Sequence, residues 1–89
     1  MSPLRPTPTV LSSARVVMVG REGCHLCDEA RAVIARVVAA TGDSFAEVDI
    51  DSDAELARYT EEVPVTFVDG RQHDYWRVDE GRLRAALQA

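Results

Sequence analysis

The sequence predicts an α/β domain with the element order β-α-β-α-β-β-α, built as a four-stranded mixed sheet with flanking helices. Three observations predict it. A continuous apolar run from Val16 to Val19 leads, through a turn with two glycines, into a long amphipathic helical pattern from His25 to Thr41. A second strand-like stretch from Phe45 to Ile50 follows that helix, so the first two strands flank a crossover and should run parallel and right-handed. Near the end, Asp69-Gly70 separates two short strand patterns and marks an antiparallel hairpin.

Residues 1–13 hold three of the chain's four prolines together with Ser and Thr, and they read as a flexible or extended arm ahead of a domain spanning 14–89. Val16 to Val19 suits a central strand covered on both faces. Gly20 and Gly23 bracket the turn, where backbone must approach closely. The helix places Leu26, Ala30, Val33, Ile34, Val37 and Val38 on one face at i, i+3, i+4 spacing, with Asp28 and Glu29 in its first turns and Gly42 as its C-terminal cap. In the second strand Ala46, Val48 and Ile50 alternate with Phe45, Glu47 and Asp49, as in a half-exposed strand. Ser52-Asp53-Ala54-Glu55 is a capping-box pattern that should open a short helix to about Thr60. Val63-Pro64 ends it, Val65 to Val68 and Arg71 to Tyr75 form the hairpin, and Asp79 caps a last helix to about Leu87.

Composition bounds the function. The 89 residues are 46% hydrophobic and 28% charged, enough for one compact core. A net charge of −5 argues against a nucleic-acid partner and against an anionic membrane surface. No apolar run approaches the roughly 20 residues of a membrane span, and prolines stand where a secretion signal would have its apolar core. A monomer in the cytoplasm is the expectation, and there a cysteine pair serves catalysis or metal binding rather than stapling.

Both cysteines lie in Gly23-Cys24-His25-Leu26-Cys27-Asp28. Residues three apart at a helix start are neighbours, with β-carbons roughly 5–6 Å apart, and a small adjustment brings them to disulfide range. Cys24 sits where backbone N–H groups are unpaired and the helix dipole is positive, which favours a thiolate and makes it the expected nucleophile. Cys27, one turn further on, is the expected resolving thiol. A buried structural pair is the plain alternative. Zinc would need two more ligands where only His25 and His73 remain, an iron–sulfur cluster would need thiols from elsewhere, and c-type haem needs His where Asp28 stands. His25 is either a thiolate-stabilising group or an exposed helix-start residue. Tyr75 and Trp76 are expected to pack, and His73 to be a surface strand residue.

The strand before the cysteine pair, the stretch GCHLCDEA, the VDID at 48–51, VPVTFVDG at 63–70 and YWRVDEGRL at 75–83 together resemble small bacterial glutaredoxin-like proteins of the thioredoxin-fold superfamily. The resemblance covers residues 14–89. It implies a dithiol–disulfide oxidoreductase that exchanges electrons with protein disulfides through catalytic Cys24 and Cys27. It implies substrate binding by Arg21, His25, Leu26, Val63 and Pro64, with Pro64 cis beside the cysteines. It implies no bound cofactor, with glutathione or a reductase as electron donor. The pattern also departs from the family: Glu62 replaces a Thr, a Gly-Gly before the last helix is missing, and bulky Tyr75 and Trp76 stand in that region, so part of a glutathione site is kept and part altered. The same fold used without turnover, to hold a metal, an iron–sulfur cluster or a protein partner, is the alternative.

Overall fold

The structure is a computed structural model that describes residues 9–88. Four strands, β1 (Val16–Gly20), β2 (Phe45–Asp49), β3 (Val65–Val68) and β4 (Arg71–Tyr75), form one sheet in the order β2-β1-β3-β4. β1 runs parallel to β2 and antiparallel to β3, and β3 runs antiparallel to β4. The expected mixed sheet is therefore present, with β1 at its centre and fully buried along all five residues.

Side chains alternate across this sheet and divide the core in two. Val16, Met18 and Val68 point to one face, where α1 (His25–Thr41) and α2 (Glu80–Gln88) cover them with Ala30, Ile34, Val37, Leu83 and Leu87. Val17, Val19, Val65 and Phe67 point to the other, where Leu11, Ile50, Leu56 and Val63 meet them. α1 begins at His25 and ends at Thr41, as its periodicity predicts, and Gly42 closes it in the left-handed conformation at φ +79°. Asp69 and Gly70 both have positive φ, the requirement of a type I′ hairpin turn.

Three expectations need correction. The segment after β2 is not an α-helix opened by Ser52. It is two 3-10 turns, Ile50–Ser52 and Ala54–Tyr59, each capped by an aspartate. Asp49 accepts the N–H of Asp51 at 2.7 Å, and Asp53 accepts that of Glu55 at 2.9 Å. Within Ala54–Tyr59, Leu56 and Tyr59, three apart, turn towards the sheet, and a three-residue period aligns them better than the α-helical one. Secondly, the arm assigned to residues 1–13 is partly core. Thr9–Ser12 forms a 3-10 turn and Leu11 is fully buried against the sheet, while residues 1–8 lie outside the described residues. Thirdly, His73 is half-buried rather than exposed. The β3–β4 register slips between Thr66 and Phe67, leaving His73 as the extra residue of a bulge, and its side chain turns inward to lie 3.8 Å from Asp74.

Candidate functional site

The site is built where β1 ends. Gly20 leads into a turn whose Gly23 has φ +73°, and the chain enters α1 at Cys24. Cys24 is the N-cap of α1 in extended conformation, and its Sγ accepts the backbone N–H of Cys27 at 3.1 Å. Sulfur thus takes the place that a serine or aspartate oxygen holds in an ordinary cap. An N–H donated to sulfur is stronger to a thiolate than to a thiol, and the helix start adds its positive dipole end. Both cysteines are free thiols, Cys24 half-buried and Cys27 buried.

Cys27 lies within the core beside Met18, Ala30 and Ile34. Burial pushes its thiol up to about 11, and the hydrogen bond with Cys24 pushes the same way, while the Arg21 backbone and the Arg31 charge pull against them. The glycine at position 20 makes room for this sulfur: a Cβ there would lie 3.2 Å from Cys27 Sγ and 3.3 Å from Met18 Cε. One turn along, Arg31 bonds Asp28 at 2.7 Å and grips both carboxylate oxygens of Glu47 on β2, tying the start of α1 to the sheet edge. Sequence spacing gave no sign of that clamp, because its members lie on different elements.

The remaining expected site residues gather at the same end of the sheet. Val65 pairs with Val19, so Val63 and Pro64, both buried, fall opposite the Gly20 turn, and the Val63–Pro64 bond is cis. Arg21 is exposed and donates from Nη2 to the Thr60 carbonyl at 3.3 Å, joining the turn before Cys24 to the segment before Pro64. His25 is exposed at the first position of α1, and Leu26 is half-buried next to it. Among the described residues no group of three or more His, Cys, Asp and Glu side chains is arranged to hold a metal ion, and no helix is long and apolar enough to cross a membrane.

Tyr75 and Trp76 depart from expectation. Each is 50% exposed rather than packed. Tyr75 is the last paired residue of the edge strand β4 and Trp76 follows it, so the sheet offers them no second wall.

A four-stranded thioredoxin-type sheet with a free C-x-x-C pair capping its first long helix defines a protein of the glutaredoxin class. The family model of the glutaredoxin-like domain (DUF836) matches residues 15–88, and the chain belongs to that family. An uncharacterized protein of Mycobacterium tuberculosis is 33% identical over 83 residues, 86% of each chain. The solved structure of XcR50 from X. campestris is 37% identical, with a TM-score of 0.66 over 82% of this chain and 95% of that one. A glutaredoxin from Archaeoglobus fulgidus, 20% identical, shares the fold with a TM-score of 0.62 over 96% of this chain and 98% of its own.

Proposed function

We propose that the protein is a dithiol–disulfide oxidoreductase acting on protein disulfides. The observation that carries the reading is the asymmetry of the pair. Cys24 is the half-buried sulfur at a helix start and accepts a backbone N–H, while Cys27 is buried and held protonated at neutral pH. Cys24 thiolate attacks one sulfur of the partner's disulfide, that S–S bond breaks, and the partner leaves as a thiolate. The departing thiolate takes up the Cys27 proton. Cys27, now a thiolate, attacks Cys24 Sγ in the mixed disulfide, releasing the second partner sulfur as a thiolate that takes its proton from water and leaving a Cys24–Cys27 disulfide. Two electrons pass to the partner, and a reducing dithiol must return them.

The donor we assign is a protein dithiol or a flavoprotein reductase in preference to glutathione. Glu61 and Glu62 stand beside Pro64, where they repel the carboxylates of a small anionic thiol. The cytoplasm, where thiols are kept reduced, is the compartment this cycle suits.

Mild oxidation followed by thiol counting tests the reading. Both thiols should disappear reversibly into one intramolecular disulfide. Cys24→Ser should abolish exchange, and Cys27→Ser should accumulate a mixed disulfide. Oxidation that leaves both thiols free would overturn the enzymatic reading in favour of a binding module. Re-reduction by glutathione as fast as by a dithiol would overturn the donor assignment.

A further inference from the structure

The two large hydrophobic side chains exposed among the described residues are neighbours in sequence, and both stand beside the cysteine end of the sheet. Trp76 follows Tyr75, the β4 partner of Val65, and donates its backbone N–H to the Pro64 carbonyl at 2.7 Å. Its indole Nε1–H donates to the Glu61 carbonyl at 3.0 Å. These two bonds hold it at φ +63°, a backbone region that a bulky side chain rarely occupies. The Tyr75 ring meets the indole edge-on, with centroids 5.1 Å apart at 76°. The result is a rigid aromatic platform presented to solvent, and a surface ordered in advance loses little entropy on binding.

The platform borders a groove, and two contacts tie its surroundings to the segments that flank the cysteine pair. Thr60, in its wall, accepts from Arg21, three residues before Cys24. Arg77, the next residue after Trp76, reaches Glu29 in the first turns of α1 at 3.4 Å. Glu61 and Glu62 line the groove against Arg58, whose guanidinium lies 5.4 Å from the Tyr59 ring, in a chain of net charge −5. Glu62 also accepts from Gln72 at 3.1 Å, a neutral partner that leaves its charge in place. Open aromatic faces beside carboxylates favour a cation carried on an apolar stem.

We propose that Tyr75, Trp76 and the Arg58–Glu62 groove dock an extended polypeptide segment with basic residues flanking the cysteine that exchanges at Cys24. This rests on the thiol-exchange reading above and adds to it the chemistry of the partner.

Two oxidised peptides that differ only in Lys or Glu flanks, presented to the full chain at low salt, test the proposal. The basic peptide should exchange about fivefold faster or more, from its charge and cation–π contacts. The ratio should fall towards one in the Glu61→Gln/Glu62→Gln double variant, and Trp76→Ala should slow the basic peptide most. Equal rates in the unaltered protein, or a ratio unmoved by the double variant, would overturn the proposal. Should exchange itself fail, docking is still read directly. Trp76 is the sole tryptophan, and its emission should shift saturably, and reversibly with salt, on adding the basic peptide with serine for cysteine. No shift, or the same shift with the acidic peptide, would overturn docking independently of the redox chemistry.

Discussion

Cys27 is a core residue as much as a redox one, and its environment can be tested by pH. Its folded-state thiol is raised from 9.0 to about 11, first by burial. A group raised on folding stabilises the fold while protonated in both states. That contribution is complete below pH 9 and is lost as pH climbs from 9 through about 11. Denaturant titration of the reduced protein should show a decline across this window that is shallower in Cys27→Ala; identical slopes would sink the assignment. Alkylation of the reduced protein near neutral pH, followed by peptide mapping, should label Cys24 well before Cys27, and the reverse order would exchange their roles. Gly20→Ala belongs with these two, because the added methyl would press on Cys27 Sγ and Met18. Overpacking of this kind costs about 1–3 kcal/mol. A thermal melt of the reduced variant that matches the unaltered protein would show that the sulfur has room to move.

The elements were legible in proportion to how local their causes are. α1 could be bounded from sequence because its apolar spacing, acidic first turn and Gly42 all act within one segment, and the hairpin because Asp69-Gly70 specifies its own turn. The 3-10 turns after β2 were misread because Ser52-x-x-Glu55 satisfies the capping-box pattern, while the competing caps Asp49 and Asp53 act at shorter range. Ser52 instead donates its hydroxyl to the Asp49 carbonyl at 2.7 Å. Asp53→Ala should therefore cost about 1 kcal/mol, the usual value of a lost N-cap, and Ser52→Ala less. A larger loss for Ser52→Ala in denaturant titration would restore the capping box. At the site, the cysteines were readable from type and spacing, and Pro64 from the family resemblance. The inward turn of His73 and the exposure of Trp76 were not, since a register slip and a positive φ arise from pairing across the sheet.

At the scale of the whole molecule, the sheet must be covered on two faces by a chain short of material. The helices supply one cover. Among the described residues the other consists of short 3-10 turns and the residues around them, with Leu11, Ile50, Leu56 and Val63 closing over Val17, Val19, Val65 and Phe67. Leu11 comes from a segment whose composition predicts an arm, yet it is as completely buried as Leu83 of α2 on the opposite face. A small domain has about 5–15 kcal/mol of stability in total, so each cover matters. Leu11→Ala should cost about 2–5 kcal/mol, comparable with Leu83→Ala, because both remove a fully buried leucine from a core one side chain deep. Equilibrium unfolding in urea measures it, and the slope with denaturant should stay constant if the rest of the fold is intact. A loss below about 0.5 kcal/mol for Leu11→Ala, the range of an ordinary surface change, would return Thr9–Ser12 to the arm and restore residue 14 as the start of the domain.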